Sequence, residues 1–292
     1  MTASLPNLHL PRAPALRRQR VDGALRLSYR ADRDGITRLA DLYQRAPCRV
    51  LFPDVDAGEP PQAVLLTTSG GLTGGDRLDI ALQVGARARA TFSTQAAEKL
   101  YRALDDEDDT RIDVTLDVGA AAWAEWLAQE TILFDRARLR RSVTMNLGGD
   151  AHVLALESVV FGRRAMNERF DAGLLHDVWR IRRDGRLIWA DAQHLAGHVQ
   201  DRLDARLGYH GAAAAATLLL IGPTAAAQLD AVRDTLSALP VTGGATTLDG
   251  LLIVRLLGTD AMALRDAAVT VAGLLRARAG GLPARLPQVW YC

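Results

Sequence analysis

The sequence predicts a mainly β fold: stacked antiparallel sheets built from repeated hairpins, with a small C-terminal β-α-β-α part. Three observations lead there. Apolar residues alternate with period two over the first three-fifths of the chain. One unit of strand, glycine turn and strand recurs: Arg77-Leu-Asp-Ile-Ala-Leu-Gln-Val-Gly-Ala86 is nearly repeated by Arg111-Ile-Asp-Val-Thr-Leu-Asp-Val-Gly-Ala120, and more weakly by Ser142-Val-Thr-Met-Asn-Leu-Gly148. Past residue 200 the apolar spacing turns helical in two places.

Taken in order, Ala24-Leu-Arg-Leu-Ser-Tyr-Arg30 sets Leu25, Leu27 and Tyr29 on one face, and Asp34-Gly35 turns the chain back. Residues 48–52, between Pro47 and Pro53, form a short extended run, residues 58–61 a loop, and residues 63–68 a buried strand that leads into the glycines. The repeats follow, with return strands at 87–93, 121–127 and 152–160. The run at 212–220, Ala-rich and then Leu-rich, ends at Gly222-Pro223. Residues 224–239 are helical on Ala227, Leu229, Val232 and Leu236, and 248–257 is a strand. Residues 262–277 are helical on Leu264, Ala268, Val271, Leu274 and Leu275, and the tail is irregular. The expected organisation is a flexible segment at 1–20 and one domain at 21–292. Its β-rich body covers about 21–205, and its C-terminal α/β part about 206–292.

Composition bounds the function. A chain of 292 residues, 49% hydrophobic, buries a sizeable core. Lys plus Arg (35) nearly balances Asp plus Glu (34), so nothing electrostatic favours a nucleic-acid partner. Two cysteines, Cys48 and Cys292, offer no disulfide framework and fit a reducing compartment. The N-terminus is apolar before it is basic, the reverse of a signal peptide, and no apolar run approaches the roughly 20 residues of a membrane span. A soluble, cytoplasmic protein is expected.

Gly70-x-x-x-x-Gly75 has the glycine spacing of a phosphate loop, but Asp76-Arg77 stands where Lys and Ser or Thr belong, and a strand follows instead of a helix. Close backbone approach is the reading that remains for the glycines. His194 and His198, with Asp191 nearby, place two imidazoles on one helical face as metal ligands, or are surface histidines on a polar segment. The lack of a third spaced ligand favours the second, and the other histidines stand alone. The acidic run at 105–109 lacks the ligand and glycine pattern of a calcium loop and reads as a solvated turn. No Gly-x-Ser-x-Gly elbow, Cys-His pair or dinucleotide fingerprint occurs. Several charges instead sit in apolar strand surroundings, among them Asp76, Glu98, Glu130, Glu157 and Glu168. Buried charges need partners or water, so internal salt bridges, a polar passage and a partner-binding face are all open.

Four of these segments together resemble the urease accessory protein D family (UreD, also called UreH). They are Ser69-Gly-Gly-Leu-Thr-Gly-Gly-Asp-Arg77, Ser93-Thr-Gln-Ala-Ala-Glu-Lys-Leu-Tyr-Arg102, Gln129-Glu-Thr-Ile-Leu-Phe-Asp-Arg-Ala-Arg138 and Glu157-Ser-Val-Val-Phe-Gly-Arg-Arg-Ala-Met166. Asp184-Gly-Arg-Leu-Ile-Trp-Ala-Asp191 and Leu286-Pro-Gln-Val-Trp290 extend the match over most of the chain. The acidic run, the His194/His198 pair and the Tyr291-Cys292 ending depart from it.

The resemblance implies a β-dominated fold and a role without catalysis. It implies direct binding to the urease apoprotein and to the F-type accessory protein, which recruits the G-type GTPase. Nickel is then a transient cargo, passed to the urease active site through an internal polar tunnel, and no cofactor is tightly bound. The metal-contacting residues are not fixed by the resemblance; some of Asp76, Glu98, Glu130, Glu157 and Glu168, which stand in apolar strand contexts, are the candidates for lining that tunnel. Two rivals stand beside this reading: a hydrolase using a carboxylate pair such as Glu130 and Asp135, and a structural subunit without metal traffic.

Overall fold

A strand with one apolar face needs a surface to bury it against, and this chain supplies that surface with a second sheet. The computed structural model describes residues 20–104 and 107–292. The segment expected to be flexible therefore lies, apart from Arg20, outside the described residues. Strands β1 (Asp22–Ala31) and β2 (Thr37–Arg45) form a hairpin, and β3 (Cys48–Leu51) pairs with β4 (Gln62–Thr67). The first repeat supplies β5 (Arg77–Val84) and β6 (Arg89–Thr94), followed by the short β7 (Glu98–Leu100). The second supplies β8 (Thr110–Val118) and β9 (Trp123–Leu127), followed by β10 (Thr131–Leu133), and the third β11 (Arg138–Leu147) and β12 (His152–Phe161). A long hairpin, β13 (Ala172–Arg183) and β14 (Arg186–His198), precedes the short helix α1 (Gln200–Asp204). The C-terminal part is β15 (Ala214–Ile221), α2 (Leu229–Ser237), β16 (Thr242–Leu248), β17 (Leu251–Gly258) and α3 (Ala261–Gly280).

The mainly β fold is as expected, but the pairing of the repeats is not antiparallel. The first sheet runs β14-β13-β11-β8-β5-β1-β2 and the second β16-β17-β15-β12-β9-β6-β4-β3, with β10 branching off beside β12 and β7 beside β10. Each repeat gives its first strand to one sheet and its second strand to the other. Successive repeats then pair in parallel, β5 with β8 and β8 with β11 in one sheet, β6 with β9 and β9 with β12 in the other. The glycine turns are arches between sheets. Ala88, Ala122 and Ala151 N–H close them onto Gly85, Gly119 and Gly148 C=O at 3.0–3.2 Å. Gly119 and Gly148 N–H donate to Val84 and Val118 of the neighbouring copy, both at 2.8 Å. Alternation is identical for a hairpin and an arch. Near-identical copies favour stacking, because parallel register sets Leu78 beside Ile112, Ile80 beside Val114 and Leu82 beside Leu116.

The core between the sheets takes the inward residues of both, including Leu25, Leu82, Leu116, Val143, Phe92 and Trp126. A second core lies on the other side of the second sheet, where Leu154, Leu218, Leu220 and Val254 meet Leu264, Ala268, Val271 and Leu275 of α3. Strand β15 is buried on both faces, which is why its sequence runs apolar without alternation. The Asp260 carboxylate caps α3 by accepting from Met262 and Ala263 N–H at 2.7 and 3.2 Å, and Gly281 ends the helix in the left-handed region. The C-terminal part holds one strand beyond the expected order. The Gly- and Thr-rich β16, mostly exposed at the sheet edge, pairs with β17 around Asp249-Gly250.

Candidate functional site

The glycine segment begins the site. It crosses from β4 in one sheet to β5 in the other, and its backbone docks on β7. Leu72 N–H donates to Lys99 C=O at 2.8 Å, and Tyr101 N–H donates to Leu72 C=O at 2.7 Å. Asp76, 3% exposed, holds the loop: its carboxylate accepts from Val21 and Thr73 N–H, each at 2.8 Å. An anion ligand is not what this aspartate faces; backbone amides are.

Beside the loop a cleft of about 230 Å³ opens between β3, β4 and residues 94–99. Cys48, Thr67, Ser69 and Glu98 line it among Leu25, Leu65, Leu78 and Ile80. Burial pushes the Glu98 carboxyl up to about 7, against a hydrogen bond from Thr67 Oγ1 at 3.3 Å and with the Asp76 charge adding to the rise. Burial likewise pushes the Cys48 thiol up to about 11. Ser69 Oγ is buried and finds no hydrogen-bond partner among the described residues.

A denser polar cluster sits between the sheets. Arg141 of β11 grips Asp177 of β13 through Nε at 3.0 Å and Nη2 at 2.6 Å, and its Nη1 donates to Thr131 Oγ1 at 3.1 Å. Nη2 also lies 3.1 Å from Glu157 Oε2 of β12, in ion-pair contact without an aligned hydrogen bond, while Trp126 Nε1 donates to Glu157 Oε1 at 2.9 Å. Two buried carboxylates thus share one guanidinium. Burial, outweighing the pull of Arg141, raises the Glu157 carboxyl above its ordinary range, and the Asp177 charge adds to that.

A second network joins the sheet to the helical layer. The fully buried Arg276 of α3 donates to Glu125 Oε1 at 2.8 Å and Glu59 Oε2 at 2.7 Å, and to the carbonyls of Pro283 and Arg285. Glu125 also accepts from Thr91 Oγ1 at 2.6 Å. Nearby, Arg265 pairs with Glu130 at 2.7 Å, donates to Trp290 C=O at 2.8 Å and lies 4.6 Å from the Trp290 ring. Glu168 is bound at 2.5 Å by Arg163, whose guanidinium lies 3.9 Å above the Phe134 ring.

The five sequence-derived carboxylates do not form one cluster. Asp76 holds a loop, Glu98 lines the cleft, Glu157 joins the inter-sheet cluster, and Glu130 and Glu168 sit in separate partly exposed ion pairs. The four motif segments do converge along one edge. Tyr101 Oη donates to Gly70 C=O at 2.8 Å, Tyr101 meets Phe134 edge-on at 4.8 Å, and Phe134 carries Arg163. Parallel pairing of β7, β10 and β12 aligns these rungs.

Arg141, Asp177, Glu125 and Arg276 did not emerge from the sequence. The signal for Arg141 was its phase, since it shares the inward face of β11 with Leu139 and Val143. His194 and His198 are exposed, as the favoured reading had it. Residues 186–198 are strand, so the two do not share a helical face, and His176, read as standing alone, meets His194 across the ladder. Of the acidic run, Asp105 and Asp106 lie outside the described residues. Asp108 pairs with Arg20 at 3.5 Å, and Asp109 is clamped by Arg138 and Arg140 at 2.6 and 2.5 Å. Among the described residues, no group of three or more His, Cys, Asp or Glu is placed to hold a metal ion, and no helix is long and apolar enough to cross a membrane.

Fold and site together define a class of protein: a two-sheet β protein that buries several charged side chains in internal networks. The family model for the UreD urease accessory protein matches residues 21–291. A UreD protein of Magnetococcus marinus is 44% identical over 93% of this chain and 94% of its own length. Those of Rhizobium leguminosarum bv. viciae and Mesorhizobium japonicum are 41% and 42% identical, over 95% and 93% of this chain and 98% and 94% of their own lengths. The chain belongs to the UreD family of urease accessory proteins, whose part is in urease maturation.

Proposed function

We propose that the chain is a non-catalytic scaffold that passes nickel toward the urease active site along its buried polar interior. The Arg141 cluster carries the reading. Two buried carboxylates against one guanidinium leave a surplus negative charge between the sheets, and a cation or a proton offsets it. Carboxylates hold late first-row metals less tightly than thiolates or clustered imidazoles, which suits a cargo that must leave. Asp76, Glu98, Glu130, Glu157 and Glu168 are proposed to line the route. Glu98, on the cleft, and Glu157, whose Oε2 lies by Arg141 without an aligned hydrogen bond, are the ones most available to a passing ion, because both oxygens of Asp76 are engaged by amides, and Glu130 and Glu168 are hydrogen-bonded by Arg265 and Arg163. Nickel is cargo in this account, and no cofactor is held.

The hydrolase reading loses support from the same geometry. Glu130 is paired with Arg265, and the Asp135 carboxylate accepts from Asp171 and Ala172 N–H at 3.0 Å, so neither is free to act as a base. The Cys48 thiol, pushed up by burial, is a poor nucleophile. The proposed partners are the urease apoprotein and the F-type accessory protein, bound directly in the cytoplasm, with the G-type GTPase joining through the F-type protein. A tagged chain expressed with all three is expected to retain urease and the F-type protein, and the G-type protein only when the F-type one is present. Failure to retain urease, or retention of the G-type protein alone, counts against the reading.

A further inference from the structure

We propose that His176 and His194 form a two-imidazole chelate for a divalent late first-row transition metal on the outer face of the first sheet. The site stands apart from the nickel route: it uses imidazoles rather than carboxylates and faces away from the inter-sheet core.

The sequence builds the pair by alternation. On β13, Leu175 and Asp177 point inward, the first into the core and the second onto Arg141, so His176 between them points outward. On β14, Leu195 is buried and Gln193 accepts from Tyr209 Oη at 3.1 Å, so His194 between them also points outward. Antiparallel register sets the two histidines directly opposite each other. Both backbones are thus held by their inward neighbours, and the imidazoles meet without strand movement.

The resulting geometry suits a metal. The two Nδ1 atoms are 3.2 Å apart and the rings are inclined at 75°. An ion at the usual ~2.0–2.1 Å from each nitrogen would see them at roughly 100–106°, between octahedral and tetrahedral angles. Without an ion, one Nδ1–H donates to the other. Imidazole nitrogens select zinc, copper, nickel and cobalt over magnesium or calcium.

The site is open on its β14 side, while His176 on β13 is half-buried beside Leu174 and Val178. His194 is exposed, and its same-face neighbours on β14, Ala192 and Ala196, are small and exposed. The strand lies at the edge of its sheet. The nearest cation in register, Arg140 on β11, is drawn off to Asp109 at 2.5 Å. Among the described residues no third His, Cys, Asp or Glu completes the set, so water or a group from another molecule fills the remaining positions. His198 lies two side-chain repeats further along β14, roughly 13 Å away at the usual strand rise, and cannot join the same ion.

The test is calorimetric titration of the full-length chain with Zn²⁺ and Ni²⁺, with Co²⁺ absorption as a spectroscopic readout of nitrogen ligation. One site per chain is expected to weaken at least about tenfold in His176→Asn and in His194→Asn, with the thermal midpoint unchanged. In His198→Asn that site should be unaltered. Equal affinity in wild type and both pair variants, or the same loss in His198→Asn, overturns the proposal. Weak binding spread evenly over all the histidines also overturns it.

Discussion

Glu98 offers the most direct check of the cleft. Its carboxyl is pushed up to about 7 from an ordinary value of 4.5, chiefly by burial. The folded chain therefore holds a proton between those values that the unfolded chain releases. Stability falls as pH rises through that window, and the penalty is complete above 7. Glu98→Gln removes the titration. It is expected to be more stable than wild type at pH 8, by up to about 3 kcal/mol, with the difference closing near pH 4. Urea unfolding at both pH values measures this, and a difference independent of pH would contradict it. Glu98 was legible in the sequence because a charge stood out among apolar strand residues. The same cue missed Arg141, which sits next to the outward Arg140 and looks like part of a basic run. Only the strand phase, with Leu139 and Val143 on either side, marks it as inward. Arg276 was hidden in the same way, one position after the apolar stripe residue Leu275.

At the scale of elements, the glycine segment was readable as a close approach, and Gly71 shows why. Its φ is +141°, and a Cβ there would lie 2.5 Å from the Tyr101 ring and 2.8 Å from the Lys99 carbonyl oxygen. Gly71→Ala is expected to cost about 1–3 kcal/mol from backbone strain alone, seen as a lowered urea midpoint, whereas Gly70→Ala, with nothing within 4 Å of its Cβ, should be near neutral. Equal effects at the two positions would contradict the docking of this loop on β7. The strands of the repeats were readable too, but their partners were not. Alternation fixes which residues face inward and says nothing about whether a turn folds back within one sheet or arches into another. The β13–β14 hairpin was obscured because polar and apolar residues mix on both its faces, and the histidine spacing imitates a helix. Edge strand β16 was obscured by glycine and threonine in a place with little to bury.

The described residues form three layers joined by polar ties. Arg141 links the two sheets, since its carboxylate partners come from both. Arg276 links the second sheet to α3, to the tail and to Glu59 before β4. Arg141→Met is expected to cost about 3–5 kcal/mol by leaving two buried carboxylates without a cation, far more than loss of the exposed Arg38. A small shift in unfolding midpoint would mean the cluster is already offset by a proton. The arrangement of layers was legible only in part, because long-range pairing decides which networks form, and pairing is what alternation leaves open.

The central claim is that nickel passes along the buried carboxylates. Nickel bound to urease, recovered from a complex assembled with wild-type chain or with Glu98→Gln plus Glu157→Gln, tests it most directly. The exchanges keep the shape of the side chains, and the amide oxygen introduced by Glu157→Gln can still accept from Trp126 Nε1. The account predicts equal recovery of the complex with markedly less nickel in urease. Equal nickel at equal recovery would contradict it and leave the chain a structural subunit.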